Sequence, residues 1–186
     1  MLFRSWHGSA LDICTYQGGF AIHLAQRCER VTGVDASRGA LEVADRNLEL
    51  NSNLNGRVAA HVEWIEADAF ELLREYEANG ERYDTIVLDP PAFAKNKASI
   101  PNAIAGYKEI NLRAMRLLNP GGYLITCSCS YNVNEEMFAS IIHDASVDSH
   151  TPVTMVEKRM QGRDHPVLIG VSETFYLKCF ILRRVE

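Results

Sequence analysis

Two cysteines stand two residues apart in the stretch LITCSCSYN, Leu124 to Asn132, directly after the turn sequence NPGGY. A β-strand carries residues i and i+2 on one face, so Cys127 and Cys129 share a direction if both still lie in a strand. Four roles suit such a pair: a redox couple, half of a metal site, buried packing, or a nucleophile beside an inert neighbour. The C-x-C spacing lacks the second Cys or His pair that a structural zinc site needs, so no metal is expected. The spacing is also awkward for a disulfide. Free cysteine is among the most buried residue types, which keeps the packing role open.

Carboxylates form the second constellation. Asp12, Asp35, Asp68 and Asp89 each fall in or at the end of a short apolar run. Gly18 and Gly19 follow the first run and permit a tight turn with close backbone approach to a ligand. Asp35 closes the second run, where a carboxylate can accept hydrogen bonds from ribose hydroxyls. Ser37 is the expected N-cap of the helix behind it. Asp68, followed by Ala69, is placed to reach an adenine edge. Taken singly, glycines make turns and aspartates cap helices. In register on three successive strands they point to an adenosine-type cofactor. Asp89 opens DPPAFAKNK, where Pro90 and Pro91 stiffen the loop, so that an acceptor would be pinned there. Alone, the same tripeptide is a strand terminator.

The elements that must position these residues follow from periodicity. SALDIC, RVTGVD, HVEWIEAD, YDTIVLDPP and YLITCSCS read as strands. Helices are expected over 18–28, 37–51, 69–80, 106–122 and 134–148. PVTMVEKR and TFYLKCFILRRV are two closing strands, with a hairpin around residues 161–173. Strand–helix alternation predicts an α/β fold with a parallel sheet and helices on both faces, whose ligands bind at the strand carboxyl ends. The 186 residues suit one domain, taken as 9–186, with 1–8 set aside as a ragged start. No apolar run approaches ~18 residues, so no membrane span is expected. Five cysteines, an odd number with no C-x-x-C, suggest reduced thiols in a cytoplasm. A net charge of −5 is unlike a free-standing nucleic-acid binder, so any grip on phosphates should come largely from elsewhere.

The loop from Asp12 to Gly18 departs from G-x-G-x-x-G. It resembles the D-x-G-x-G-x-G loop of class I S-adenosylmethionine (SAM) methyltransferases, with Cys14 and Tyr16 in the first two glycine places. LDPP resembles methyltransferase motif IV, where the target base is held near the methyl group. From about residue 9 onward, LDICTYQGGFAIHLA, VTGVDASRGALEVADRNLELN, DPPAFAKNK, GYKEINLRAMRLLNPGGYLITCSCS and DHPV follow in unbroken order. Together they resemble the bacterial 23S ribosomal-RNA cytosine-5 methyltransferase family, whose full form begins with a PUA domain. The resemblance implies a Rossmann-like class I fold with a mostly parallel seven-stranded sheet, the last strand antiparallel. It implies SAM held by Asp12, Tyr16, Gly18, Gly19, Asp35, Ser37, Asp68, Ala69 and Asp89. Asp12 would reach the SAM amino group through water or hold the loop. It implies an RNA substrate bound by Pro90, Pro91 and Phe93, with Lys95 and Lys97 touching phosphates or standing as solvated charges, and with 23S ribosomal RNA as partner and an RNA-binding part outside this chain.

Cytosine C5 is a poor nucleophile, and a thiolate adding to C6 activates it as an enamine. The family motif places cysteine before serine at the strand end. T-x-S-C-S then aligns Thr126, Ser128, Cys129 and Ser130, which makes Cys129 the nucleophile and Cys127 packing. Asp89 would accept a hydrogen bond from the cytosine amino group or protonate N3. Two rivals stay open. One is methylation of a ring or exocyclic nitrogen with Cys129 idle; here Ala92 separates the prolines from Phe93. The other is a non-catalytic SAM-fold module, against which the intact acidic series speaks. Trp64 reads as core, His165 as a loop-shaping residue, and Arg183 and Arg184 as surface charge.

Overall fold

The computed structural model describes residues 8–55, 61–94 and 96–186. Its strands and helices alternate along the chain. They are β1 (Ser9–Ile13), α1 (Gly19–Leu24), β2 (Arg30–Asp35), α2 (Arg38–Asn55), β3 (His61–Glu66), α3 (Ala69–Ala78) and β4 (Tyr83–Leu88), then α4 (Ile100–Leu117), β5 (Leu118–Ser128), α5 (Glu135–Asp148), β6 (Val153–Arg159) and β7 (Lys178–Arg184). One seven-stranded sheet runs in the order β3-β2-β1-β4-β5-β7-β6. The first five strands pair in parallel, and β7 pairs antiparallel with both β5 and β6. The chain leaves β1 towards β2 on one side and returns to β4 on the other, which makes the switch point where such sheets take ligands.

Central strands are buried along most of their length because helices cover both faces. Leu11, Ile13, Ile86, Leu88, Leu124, Phe180 and Leu182 point into one apolar layer, filled by Leu73 of α3, Tyr107 and Met115 of α4 and Phe138 of α5. Ala10, Val87, Ile125, Cys127, Cys179 and Ile181 point into the other, with Leu24 of α1 and Leu48 of α2. The alternation of period two thus assigns each strand residue to a layer.

Several element boundaries differ from the sequence expectation: α1 stops at Leu24, four residues short of Cys28, α2 runs on to Asn55, and the ends of α4, β5 and β7 move as follows. Helix α4 begins at Ile100, six residues ahead of Gly106, because Asn96 and Ser99 form a reciprocal capping box before it and Pro101 needs no donor in the first turn. The NPGG turn is drawn into β5, held by Arg183 Nε on the Gly121 carbonyl at 3.2 Å and by Arg184 on the Leu118 carbonyl. Those two arginines therefore fasten a turn as well as facing solvent. Strand β7 starts at Lys178, not Thr174.

Trp64 is structural, as expected. Its indole lies over Gly33 of β2 and donates to Asp45 Oδ1 at 3.2 Å. A Cβ at Gly33 would sit 2.4 Å from the ring. Gly33→Ala is expected to cost about 1–3 kcal/mol by overpacking. A thermal melt should fall by several degrees; an unchanged melt would show that the ring moves aside freely.

Candidate active site

A cavity of about 660 Å³ opens at the strand carboxyl ends. Its wall takes Tyr16 from the β1 end, Asp35 from β2, Asp68 from β3, Asp89 from β4, Cys129 from β5, and Tyr176 from the segment that enters β7.

The β1–α1 loop sets the floor. Cys14 and Tyr16, the residues in the two glycine places, have φ of 62° and 50°, and Gly18 has φ of 82°. Left-handed backbone at a non-glycine residue costs about 1–3 kcal/mol and persists only where the surroundings over-determine it. Here they do. Asp12 Oδ2 accepts from Thr15 Oγ1 at 2.6 Å and from the Ala21 amide at 2.9 Å. The Thr15 amide donates to the Val34 carbonyl at 2.9 Å, and the Tyr16 amide to Asp35 Oδ2 at 2.9 Å. Asp35 spends its other oxygen on the Ser37 amide at 2.9 Å. One carboxylate thereby ties the β1 and β2 loops together at the cavity edge.

Asp12 lies beneath the cavity, fully buried, and Oδ1 has no hydrogen-bond partner among the described residues. Burial pushes its carboxyl up to about 7, against two hydrogen bonds that favour ionisation; Asp89 and Asp35 push the same way as burial. Through Oδ2 Asp12 ties the loop to the start of α1. Asp68 caps α3, with Oδ1 accepting from the Phe70 amide at 2.9 Å and the Glu71 amide at 3.0 Å. It serves as a cap while also facing the cavity. Burial raises the Asp89 carboxyl above the usual range.

The two cysteines separate at the end of β5. Cys127 is the last but one residue of the strand, stands opposite Cys179 in β7, and is buried in the apolar layer. Cys129 lies beyond the strand, where the strict alternation no longer applies, and its thiol faces the Pro90 carbonyl at 3.7 Å. Burial, and then Asp89, raise its thiol, while Lys178 acts in the opposite sense. Cys14 also lines the cavity, but burial and four nearby carboxylates push its thiol up to about 12. Ser130, next in sequence, accepts the Ala94 amide at 3.0 Å and is hydrogen-bonded to the Tyr107 hydroxyl at 2.9 Å. The Asp89–Ala94 loop and the cysteine loop are thereby fastened to each other and to α4.

Of the residues expected at the site, Tyr16, Asp35, Asp68, Ala69, Asp89, Pro90, Pro91, Phe93 and Cys129 line the cavity. Gly18 and Ser37 act behind it, as an N-terminal turn and as a cap whose Oγ takes the Ala40 amide at 3.3 Å. Gly19 opens α1, and Lys97 sits exposed in a 3-10 turn. Lys95 lies outside the described residues. His165 packs edge-on to Tyr176, with ring centres 6.3 Å apart, and so supports the cavity wall indirectly. Sequence reasoning missed Phe70, Tyr176 and Lys178. Phe70 was signalled only by following Asp68 and Ala69; the others were read as interior residues of a strand that begins later. Among the described residues, no group of three or more His, Cys, Asp or Glu could hold a metal ion, and no helix is long and apolar enough to cross a membrane.

Residues 6–169 match the family described as methyltransferase domain. The chain is 44% identical over 174 residues to the ribosomal RNA large subunit methyltransferase I of Klebsiella pneumoniae, covering 93% of this chain and 42% of that protein. It therefore spans less than half the length of the curated relatives it matches. Among solved structures, SMU.776 complexed with SAH superposes with a TM-score of 0.78 at 20% identity, over 94% of this chain and 44% of that one. NSun6 from Pyrococcus horikoshii with SFG gives 0.66 at 19% identity, over 96% and 48%. These last two likenesses concern the fold.

The raised Asp12 carboxyl fixes a pH dependence. Between its ordinary 3.8 and about 7 the folded chain holds a proton that the unfolded chain has lost. Its contribution is thus full below the lower value and declines as pH rises through the upper one. Asp12→Asn keeps an acceptor for Thr15 and Ala21 without that proton. The variant should gain on the parent from pH 4 to 7 by on the order of 1 kcal/mol per pH unit, then level off. Urea denaturation at both ends measures it, and parallel pH slopes would contradict the assignment.

Proposed function

Because the chain belongs to the methyltransferase-domain family, we propose that it methylates C5 of a cytosine in large-subunit ribosomal RNA, using SAM and a covalent Cys129 adduct. The observation that carries this reading is the meeting of Cys129, Asp89 and Pro90 on one cavity wall while Cys127 is sealed in the core. The curated relatives at 44% and 42% identity, named as ribosomal RNA large subunit methyltransferases, supply the substrate class.

The cavity suits SAM on its own chemistry. SAM carries a sulfonium and an ammonium, and Asp35, Asp68 and Asp89 line the cavity with Asp12 buried nearby. The volume of about 660 Å³ fits a cofactor-sized molecule. Asp35 would hold the ribose, and Asp68, Ala69 and Phe70 would border the adenine. Asp12 and the left-handed loop would carry the amino-acid end. When bound, SAM supplies an electrophilic methyl group.

The remaining chemistry belongs to the chain. A cytosine stacked in RNA cannot present C6 to a half-buried thiol, so the base must be extruded into the cavity. Pro90, Pro91 and Phe93 would hold it beside Cys129. The Cys129 thiolate bonds to C6, and the C5–C6 π electrons move towards C5, the atom that is methylated. Asp89, whose carboxyl burial raises from its ordinary value, faces the same wall and supplies a proton to N3 as that charge develops. Asp89 takes the N3 proton back once C5 carries the methyl group. Water at the open side of the cavity then accepts the C5 proton, the C5–H electron pair re-forms the C5–C6 double bond, and the C6–S bond breaks to return the thiolate. An acidic chain of net charge −5 gains little from phosphate contact. RNA grip is therefore assigned to the part of the relatives' length that this chain does not span.

Cys129→Ala should abolish 5-methylcytosine formation while leaving SAM affinity unchanged, because the lost bond exists only along the reaction path. Cys127→Ala should retain activity and lose about 1 kcal/mol of stability to a small cavity. Nucleoside mass analysis with SAM titration calorimetry reads both. A Cys129→Ala protein that still makes 5-methylcytosine would exclude the mechanism.

A further inference from the structure

Lys178 is 4% exposed, yet among the described residues it makes no salt bridge. A buried ammonium without a counter-ion is costly and calls for a compensating group. Nζ donates to the Ser130 carbonyl at 2.7 Å and to the Tyr176 carbonyl at 2.8 Å. The first acceptor belongs to the residue that follows Cys129. The second belongs to the cavity wall. Across the β5–β7 ladder Lys178 stands opposite Ser128, the residue before Cys129. The ammonium is thus fixed beside the backbone that carries the thiol, from both sides of it.

We infer that Lys178 is a positioning residue for Cys129: its ammonium, clamped between the Ser130 and Tyr176 carbonyls, supplies the positive charge that favours the thiolate at neutral pH. This rests on the reading of Cys129 as the nucleophile. The groups that act on the thiol are Asp89 from the end of β4, which opposes ionisation, and Lys178 from β7, which favours it. Tyr107 of α4 and Cys127 of β5 also lie within electrostatic reach. Lys178 is in turn affected by Cys129, which works against the burial that lowers its amine to about 8. The influence is mutual, as linkage requires. In the step itself the S–H bond breaks, its electron pair stays on sulfur, and the proton passes to water at the open side of the cavity. No oxidant or co-reactant is involved.

The test is the pH dependence of Cys129 alkylation by iodoacetamide, with the modified residue assigned by tandem mass spectrometry. At about pH 6.5–7, where the Lys178 amine carries its proton, Lys178→Met should slow Cys129 alkylation at least about tenfold. Lys178→Arg keeps the charge and should hold that rate near the parent's. An unchanged rate in a Lys178→Met protein with a native near-ultraviolet spectrum would overturn the role. If that variant fails to fold, Lys178→Arg gives the answer at higher pH. A guanidinium keeps its charge where the lysine has lost it, so the alkylation midpoint should fall below the parent's, and an unmoved midpoint would overturn the role. Alkylation reads the thiol without methyl transfer, so the two failures are distinct. A Cys129→Ala protein that still makes 5-methylcytosine would overturn the functional reading and this role with it. An inactive Cys129→Ala protein with no Lys178 effect would overturn this role alone.

Discussion

The Ser130 hydroxyl joins two loops that the chain otherwise keeps 36 residues apart, through its bond to the Ala94 amide. It also meets the Tyr107 hydroxyl, and its own carbonyl takes Lys178 Nζ and the Val133 amide. Four parts of the fold thus converge on the residue after Cys129. Each bond is worth only about 1 kcal/mol net, but all four join buried residues, and a lost partner there costs about 1–3. Their main effect is geometric. A nucleophile and a base-holding loop must stay in near-attack register, and a misplacement of ~1 Å costs orders of magnitude in rate.

The field inside the cavity opposes the chemistry as much as it helps. Asp35, Asp68 and Asp89 line a space in which a cation is welcome and an anion is not, with Asp12 buried nearby. Such a site suits a sulfonium, and under the proposed function it would admit a neutral base more readily than the phosphates attached to it. It also disfavours a thiolate, as the raised Cys14 and Cys129 thiols show. A buried lysine behind Cys129 resolves that conflict without adding an exposed cation that would compete with the cofactor.

Much of this was legible in the sequence because strand ends are marked by abrupt stops. VTGVD, EAD and LDPP each break an apolar run with a carboxylate, and those aspartates line the cavity. Seven strands and the antiparallel β7 came out as the family resemblance implied. The left-handed Cys14 and Tyr16 were not legible as backbone, since side chains of those types carry no sign of positive φ; only the motif alignment placed them in glycine positions. Lys178 was hidden for another reason. In TFYLKCFILRR a single lysine reads as a solvent-facing position, and its burial comes from pairing with β5, more than 40 residues away, as the Ser130 bond with its separation of 48 shows. Helix α4 was begun too late because its cap lies in a 3-10 turn whose polar residues look like loop.

The proposed covalent bond between Cys129 and cytosine C6 is tested directly by a 5-fluorocytosine substrate. Fluorine cannot leave C5 as a proton does, so the adduct cannot resolve. Large-subunit ribosomal RNA carrying 5-fluorocytosine, incubated with the protein and SAM, should give a denaturant-stable complex whose crosslinked peptide maps to Cys129. A crosslink at Cys127 or Cys14, or unmodified RNA methylated at a base nitrogen with no crosslink formed, would contradict the account.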